Sequence, residues 1–455
     1  MGLKNLPPEL EEHILAHLDG STFSRAKTVC KRWHHLVDNV QKTTNFWFRR
    51  CMVEIQHKVL IDITGGAEIL DTMLDQEKKS SSVEGCPRHW EYWRKVYCVW
   101  YRSRHIGTWQ PVMEEMPHDG DALMLYQVNC LRIAGDAVLY GCSDGSIRCY
   151  NLFSKRCALM SRNVRLLRPE VKDMKLINSP VLGSDEESDT DQWSFSSDLF
   201  HSHYLISGGS DALVSLIDLS PNNWMREEIH ASSYSSPIQS ISLWRNQIVT
   251  ASEDHTLNGH AVLEVTSGGK LKKVSSLHGH MEVPMCIAVW ENKVLSGGYD
   301  QMLLRWTVDS SAQGHNDDCT MVWEFDSWIA KLIYRDTLII VLTGDHILHV
   351  SIDDGACFSS WNVMEALGST ACVMSLWGNV FALGTAVGHV HLFYIEDDQD
   401  FLQLDLTQAT SVVKTGYSNI SALDFGDNGF GPCAVIATDT GRKLKVVHWV
   451  STHLS

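Results

Sequence analysis

Residues able to carry out acid–base or metal chemistry are scattered through this sequence of 455 residues. The sequence contains neither His-Glu-x-x-His nor Gly-x-x-x-x-Gly-Lys, the patterns of a zinc hydrolase and a phosphate-binding loop. His13 and His17 are four residues apart, the spacing of two metal ligands on one helix, but no third ligand is near in sequence. We therefore expect no catalytic residue, no metal and no cofactor, with surface histidines at these two positions.

Residues 3–37 predict two short amphipathic helices. Pro7 and Pro8 suit a helix start, because the first turn of a helix leaves its amide hydrogens without partners. Asp19-Gly20-Ser21-Thr22 breaks the apolar pattern and can cap a second helix. Apolar residues recur at helical spacing on both sides of this break. They are Leu10, Ile14, Leu15 and Leu18 before it, and Ala26, Val29, Cys30, Trp33, Leu36 and Val37 after it.

This stretch resembles an F-box, whose pattern is Leu-Pro-x-Glu-Leu, Ile-Leu-x-x-Leu and Val-Cys-Lys-x-Trp. Residues 6–10, 14–18 and 29–33 fill these three parts. The alternative is an ordinary helical hairpin. The resemblance implies that the stretch docks onto a Skp-family adaptor through an apolar interface with a small core behind it. The residues implied are Leu6, Pro7, Leu10, Ile14, Leu15, Leu18, Val29, Cys30, Trp33 and Leu36.

Composition and charge narrow the class of protein. The net charge of −17 argues against nucleic-acid binding, which needs clustered Lys and Arg. No apolar run approaches the roughly 18 residues that cross a bilayer, and no secretory signal begins the chain, so we expect a cytoplasmic or nuclear protein without membrane contact. The 13 cysteines include no Cys-x-x-Cys pair, which makes a disulfide framework or zinc cluster improbable.

The predicted organisation is multidomain: an all-α F-box over residues 1–48, a helical linker over 49–104 and an all-β domain over 105–455. Within the linker, Gly65-Gly66 interrupts a helix, and the polar run 76–87 predicts a mobile loop. An aromatic stripe on one helix face follows, formed by Trp90, Trp93, Tyr97 and Trp100.

A repeated pattern of strand, Gly/Ser/Asp turn and strand occupies the rest of the chain. Seven copies are found, with turn positions 42 to 67 residues apart. This period resembles the WD repeat, one four-stranded blade of a β-propeller, and predicts seven blades. One copy matches the family pattern closely, and the resemblance implies a structural hydrogen-bond network of His280, Ser296, Asp300 and Trp306. The last copy lacks an outer strand, which residues 108–113 are expected to supply.

Residues 184–198 are dense in acid and serine and predict a disordered insertion. The alternative is regulatory phosphorylation of Ser184 or Ser188.

The narrow face of such a propeller is its expected substrate face. The residues before the turns are Ser143, Ser210, Glu253, Tyr299, Gly344, Ala386 and Asp439. The inner-strand residues, aligned approximately, are Asn129, Gln239, Met285, Ile329, Cys372 and Ile420. None is basic, so we expect a neutral to acidic face that does not require phosphate on the substrate. The candidate substrate-face residues are Asn129, Gln239, Glu253, Met285 and Tyr299.

Together the two resemblances imply a substrate-recognition subunit of a Skp–cullin–F-box ubiquitin ligase. Its F-box would bind the adaptor, a cullin–RING scaffold would join indirectly, and the propeller would hold an unknown protein substrate. Tethering of this kind raises effective concentration without a catalytic residue in the subunit. The alternative is a non-degradative propeller scaffold that binds the adaptor, and a propeller enzyme is disfavoured because no polar catalytic set converges.

Overall fold

The computed structural model divides the chain into two compact units, residues 1–102 and 103–455. We call them the helical unit and the β unit. The residues that the structure describes are 7–82, 89–116, 126–162, 170–180, 200–219, 228–231, 236–245, 247–252, 259–265, 271–308, 319–416, 418–428, 431–439 and 444–450. The predicted insertion at 184–198 lies outside them. No described helix is both long and apolar enough to cross a membrane.

Seven helices belong to the first part of the chain. They are α1 (Pro8–Ala16), α2 (Gly20–Ala26), α3 (Lys31–Thr43), α4 (Phe46–Glu54), α5 (His57–Thr64), α6 (Ala67–Ser82) and α7 (Trp90–Arg104). The single second helix predicted within residues 3–37 is instead two helices, α2 and α3. Cys30 has an extended backbone, with φ −164° and ψ 165°, and this extended residue separates the turn after α2 from the first turn of α3.

Aromatic side chains form the core of the helical unit. Phe23 of α2 stacks on Phe46 of α4, with ring centroids 3.8 Å apart, and Trp47 lies 5.3 Å from Tyr97 of α7. A side chain at Gly20 would meet the Tyr97 ring at 2.4 Å, so glycine allows α2 to approach α7 closely. Three residues of the aromatic stripe predicted on α7, Trp93, Tyr97 and Trp100, are therefore part of the core of this unit, whereas Trp90 is half-buried.

The predicted loop at 76–87 is wrong over its first seven residues, because α6 continues to Ser82. Gln, Glu and Lys are good helix formers, and Lys78 pairs with Asp75 three residues earlier at 3.0 Å. The polar residues of this segment thus belong to the C-terminal turns of a helix. Residues 83–88 lie outside the described part.

The β unit contains 28 strands within the described residues. In chain order they are β1 (Gln110–Glu115), β2 (Val128–Ala134), β3 (Ala137–Cys142), β4 (Ser146–Asn151), β5 (Cys157–Arg162), β6 (Val171–Pro180), β7 (Phe200–Gly209), β8 (Val214–Asp218), β9 (Glu228–Ala231), β10 (Ile238–Trp244), β11 (Gln247–Ser252), β12 (Gly259–Val265), β13 (Leu271–His278) and β14 (Pro284–Trp290). They continue as β15 (Lys293–Gly298), β16 (Met302–Thr307), β17 (Thr320–Glu324), β18 (Ile329–Arg335), β19 (Leu338–Thr343), β20 (Ile347–Ser351), β21 (Ser359–Asn362), β22 (Ala371–Trp377), β23 (Val380–Thr385), β24 (His389–Tyr394), β25 (Ser411–Lys414), β26 (Ile420–Asp427), β27 (Pro432–Thr438) and β28 (Leu444–Val450). A short helix, α8 (Val363–Leu367), and a 3-10 helix, Asp398–Gln403, lie between strands.

These strands form seven four-stranded antiparallel sheets, and the sequence shows seven repeats. The sheets are β2–β5, β6–β9, β10–β13, β14–β17, β18–β21, β22–β25 and, last, β26–β28 with β1, and we call them blades 1 to 7 in this order. The innermost strands β2, β6, β10, β14, β18, β22 and β26 each neighbour the next, and β26 neighbours β2. A closed ring of sheets, the arrangement of a β-propeller, follows from this cycle of neighbours.

The apolar core of the β unit is divided among the spaces between successive blades. Leu304 and Trp306 of blade 4, for example, pack with Val249 and Ala251 of blade 3. Glycine permits the close approach: a side chain at Gly297 would meet Ile329 of the next blade at 2.6 Å. Each blade thus buries both faces against its neighbours.

Polar groups also join the innermost strands of neighbouring blades. The Asp424 carboxylate accepts a hydrogen bond from the Ile133 amide at 2.8 Å, and Asp173 accepts one from the Ile241 amide at 2.9 Å. These bonds satisfy backbone donors that no sheet partner reaches.

The ring closes within blade 7. β1 pairs antiparallel with β28 from Gln110 opposite Val450 to Glu115 opposite Lys445. The predicted closing strand at residues 108–113 is therefore found two residues further along the chain. The pairing leaves β28 with a neighbour on each side, so it is not an exposed sheet edge.

Candidate functional site

Exposed apolar side chains are concentrated on α1 of the helical unit. Leu10 and Ile14 are 51% and 43% exposed, and their spacing of four residues places them on one face of the helix. Pro7, which precedes the helix, is exposed as well. Large exposed apolar residues grouped in this way mark an interaction surface.

The segment between α2 and α3 adds to this set. Val29 is 66% exposed and Cys30 is exposed, whereas Trp33, Leu36 and Leu18 are half-buried. Leu15 differs from the others, because it is 0% exposed and belongs to the core. Of the ten residues implied by the resemblance, Leu15 thus supports the helices and cannot touch a partner, and Leu6 lies outside the described residues. We call Pro7, Leu10, Ile14, Val29 and Cys30 the exposed apolar set.

Ion pairs and hydrogen bonds fix α1 against α3. The Arg32 guanidinium lies 2.9 Å from the Glu11 carboxylate, whose side chain is only 2% exposed. The Asn39 amide donates to Glu12 at 2.7 Å. These contacts fix α1 relative to α3. The two segments that carry the exposed apolar set therefore keep one arrangement.

Asp19 caps α2, as its sequence position predicts. Its carboxylate accepts hydrogen bonds from the Thr22 hydroxyl at 2.7 Å and from the Thr22 amide at 2.8 Å. These bonds, led by that of the hydroxyl, lower the pKa of Asp19 to about 2. The cap therefore stays charged at neutral pH and fixes where α2 begins.

The predicted network of blade 4 is assembled around His280. Its Nδ1 lies 2.8 Å from Asp300 and its Nε2 lies 2.6 Å from the Ser296 hydroxyl. The Trp306 ring is 5.8 Å away between centroids, and its indole N–H donates to the His278 carbonyl at 3.4 Å. Burial alone would raise the pKa of Asp300, but hydrogen bonds from His280 and backbone amides bring it below its ordinary value. The network buries the charged Asp300 carboxylate and supplies its hydrogen-bond donors, so its role is structural.

The same end of every blade carries an irregularity in its innermost strand. In each of the seven innermost strands the register shifts after the first residue. Bulges of this kind turn one side chain out of the regular alternation. The seven bulge residues are Asn129, Lys172, Gln239, Met285, Ala330, Cys372 and Ser421.

The turn between the second and third strands lies at that end too. The Tyr299 amide donates to the Val283 carbonyl at 3.1 Å, and Ser143 donates to Gln127 in the same way at 2.8 Å. Equivalent bonds occur at Ser210, Gly344, Ala386 and Asp439. We call the bulge residues and these turn residues together the turn edge of the propeller.

Four of the five candidate substrate-face residues lie on the turn edge. Asn129, Gln239 and Met285 are half-buried bulge residues, and Tyr299 is a turn residue that is 44% exposed. Asn129 already donates to the Val171 carbonyl of blade 2 at 3.0 Å, which makes it an inter-blade contact. Glu253 lies outside the described residues.

Two details of the predicted face need correction. The sequence alignment placed Ile329 and Ile420 on it, but both are 0% exposed, and the bulges instead present Ala330 and Ser421. The alignment also left out blade 2, whose bulge residue is Lys172, so the prediction of an edge without basic residues is wrong there. Lys172 pairs with Glu170 at 3.0 Å, which neutralises its charge locally.

Sequence reasoning also missed a hydrolase-like pattern. Gly141-Cys142-Ser143-Asp144-Gly145 has the spacing Gly-x-Ser-x-Gly of a nucleophile elbow, which requires a strand-to-helix turn. Ser143 instead lies in the turn between β3 and β4, where its hydroxyl accepts from the Gln127 amide at 2.9 Å. The pattern therefore marks a β-turn in this chain.

Comparison with known protein families identifies a domain within the helical unit. Residues 3–45 match the model of the F-box domain. No curated protein matches the chain. Among solved structures, the crystal structure of the computationally designed Ika8 protein is similar at 16% identity and a TM-score of 0.44. That match covers 71% of this chain and 96% of the other. The chain thus carries an F-box domain at its N-terminal end, and an all-β propeller follows it in the sequence.

Proposed function

We propose that this protein is a substrate-recognition subunit of a Skp–cullin–F-box ubiquitin ligase. Its F-box domain binds a Skp-type adaptor, and its propeller, built from WD-type repeats, binds the protein to be modified. The cullin–RING scaffold joins through the adaptor. Ubiquitin transfer belongs to the other subunits, so this chain has no catalytic step, and its place of work is the cytoplasm or the nucleus.

The observation that carries the proposal is the exposed apolar set within the F-box domain. Leu10, Ile14 and Val29 expose between 43% and 66% of their surface. Their removal from water on docking supplies the main driving force for binding, at about 25 cal/mol per Å² of apolar surface. The ion pair between buried Glu11 and partly exposed Arg32 keeps the two contributing segments in one arrangement.

The propeller supports the other half of the proposal. Its turn edge brings together residues from seven blades, and loops and turns at one end of a rigid ring are a frequent place for binding. A bound substrate is held near the transfer machinery, which raises its effective concentration.

The adaptor half is tested by co-purification of the full chain with a recombinant Skp-type adaptor. We expect Leu10→Asp with Ile14→Asp to abolish the complex, because two carboxylates would be buried without partners. Val53→Asp is the matched control, since Val53 is 76% exposed on α4, outside the exposed apolar set. Unchanged thermal unfolding of both variants shows that they fold, and an intact complex with the double variant would contradict the proposal.

The substrate half is tested by proximity labelling in cells with the wild type and the double variant. Proteins captured by both, and more abundant with the variant, are the expected substrates, because the variant binds them without delivering them. If the captured proteins have equal lifetimes with both forms, the chain is a scaffold and the ligase role is wrong.

A further inference from the structure

Exposed aromatic and methionine side chains surround Tyr299 of the turn edge. Met281 is 75% exposed, Tyr299 is 44% exposed, and Trp328 is partly exposed. The rings of Tyr299 and Trp328 lie 5.1 Å apart at an interplanar angle of 39°. We call these three residues the aromatic patch. It joins blade 4, which supplies Met281 and Tyr299, to the segment that enters blade 5.

The backbone holds the aromatic patch rigidly. The Met281 amide donates to the Asp300 carboxylate at 2.9 Å, so the segment before β14 is tied to the His280 network. Gly344 donates its amide to the Trp328 carbonyl at 2.8 Å. A side chain at Gly344 would lie 1.9 Å from the Trp328 Nε1, so the indole rests directly on this turn. Binding to a surface fixed in this way costs little conformational entropy.

The charges around the aromatic patch have one sign. The segments 279–283, 299–301, 325–328 and 344–346 contain four carboxylates and neither lysine nor arginine. Asp300 is used by His280, whereas Glu282, Asp326 and Asp345 are exposed. The lysine nearest to these segments in sequence is Lys331, which follows the bulge residue Ala330 on β18. Such a surface attracts a positively charged partner.

Blade 1 shows what an aromatic residue near this edge can bind. There the Arg148 guanidinium lies over the Tyr126 ring at 4.3 Å from its centroid. Among the described residues, no lysine or arginine covers Tyr299 or Trp328 in this way. The face of a Trp or Tyr ring attracts a guanidinium or ammonium group, and neighbouring carboxylates strengthen the attraction.

We propose that the aromatic patch binds a protein segment that presents an arginine or lysine side chain beside an apolar one. The cation lies against Tyr299 and Trp328 and faces Glu282 and Asp326, and the apolar neighbour packs on Met281. This inference rests on the proposed function, because it specifies the class of substrate that the propeller selects.

The test uses the full-length chain alone, immobilised and panned against a phage-displayed library of random 12-residue peptides. Recovered peptides are then measured by fluorescence anisotropy against wild type and variants. We expect Tyr299→Ala, and Glu282→Lys with Asp326→Lys, each to weaken binding about three- to tenfold. Affinity should also fall as salt rises, because charges contribute.

Matched controls come from the outer strand of the same blade. Trp323 is 39% exposed and also pairs with another ring, that of Phe358 at 5.1 Å, so Trp323→Ala repeats the chemistry of Tyr299→Ala elsewhere. Glu324→Lys repeats the charge change. Both controls should bind as the wild type does.

Peptides enriched in arginine or lysine next to apolar residues, and weakened by the patch variants alone, support the inference. Peptides without cations, or peptides that bind the patch variants and the wild type equally, overturn it. The adaptor is absent from this assay, so its outcome is separate from that of the proposed function. If the peptides bind as expected but no adaptor complex forms, the inference about the aromatic patch is supported and the ligase role is refuted.

Discussion

Val112 of β1 lies directly opposite His448 of β28, so the first strand of the β unit pairs with its last. Every residue of β1 is exposed, which means that backbone hydrogen bonds hold this strand more than side-chain burial does. The opposite holds for β28, whose Trp449 is 3% exposed and packs against Phe425 at 5.6 Å. Closure of the ring therefore depends on the burial of β28.

Removal of residues 446–455 should lower the melting temperature of the whole β unit, because β1 and β27 would both lose their partner. A milder form is Trp449→Ala, which should cost about 3–5 kcal/mol of unfolding free energy. Val450→Ala, at a neighbouring position that is 51% exposed, should cost little. Thermal unfolding followed by circular dichroism measures all three. A truncated chain that melts at the wild-type temperature would refute this account of closure.

Substitution of Leu15 should affect the stability of the F-box domain, whereas substitution of Leu10 should affect its binding to the adaptor. Leu15→Ala removes a fully buried side chain and should cost about 2–5 kcal/mol of unfolding free energy. Leu10→Ala should change stability by less than about 0.5 kcal/mol and weaken adaptor binding. Chemical denaturation and calorimetric titration with the adaptor provide the two readouts. Equal effects of both variants on both readouts would count against the exposed apolar set.

Asp300→Asn should destabilise the β unit by about 2 kcal/mol, because buried His280 would lose its carboxylate partner. The pKa of Asp300 is lowered in the folded protein, so its stabilising effect is present above the ordinary aspartate value of 3.8 and is lost as the pH falls below it. The difference in unfolding free energy between wild type and variant should therefore shrink between pH 5 and pH 3. A difference that stays constant with pH would show that the charge of Asp300 is unimportant.

Arg335 and Asp398 form a buried ion pair in the β unit, with 3.2 Å between guanidinium and carboxylate. The same guanidinium donates to the Gly378 carbonyl at 2.5 Å. Arg335→Met alone or Asp398→Asn alone should cost about 3–5 kcal/mol, because each leaves the other group buried without its partner. The double variant should cost less than the sum of the two. Denaturant unfolding of the four proteins gives this coupling, and additive losses would indicate that the pair is not coupled.

Asp136 lies in the turn between β2 and β3. Its ionisation should lower the free energy of unfolding as the pH rises. Burial raises its pKa from 3.8 to about 6, although the Asn151 amide donates to it at 3.1 Å. The folded protein therefore holds this proton more tightly than the unfolded chain, and stability is lost as the pH rises from 4 toward 6. Asp136→Asn cannot ionise, so the variant should gain about 1 kcal/mol relative to wild type between pH 4 and pH 7, allowing for solvent screening. Thermal unfolding of both proteins at a series of pH values tests this, and parallel curves would contradict it.

Local patterns in the sequence predicted several elements well. The Asp19 cap, the helix that carries Trp93 and Tyr97, and the strands around each Gly/Ser/Asp turn depend on residues a few positions apart. The closing strand was also expected, because a final repeat with three strands needs a fourth from elsewhere. The polar run after Gln76 was misassigned because the last turns of a helix and a loop can have similar polar compositions.

The sequence alone was sufficient for the repeated strand–turn–strand unit, which is encoded in short spacings. Its resemblance to known families indicated the F-box domain and the chain of contacts around His280. Only the tertiary structure decided that Leu15 is buried while Leu10 is exposed, and that the bulges present Lys172 and Ala330 at the turn edge. It also brought Tyr299 and Trp328 together from different blades. The reason is physical: periodicity tells which side of an element is apolar, but exposure depends on whether a distant part of the chain covers that side.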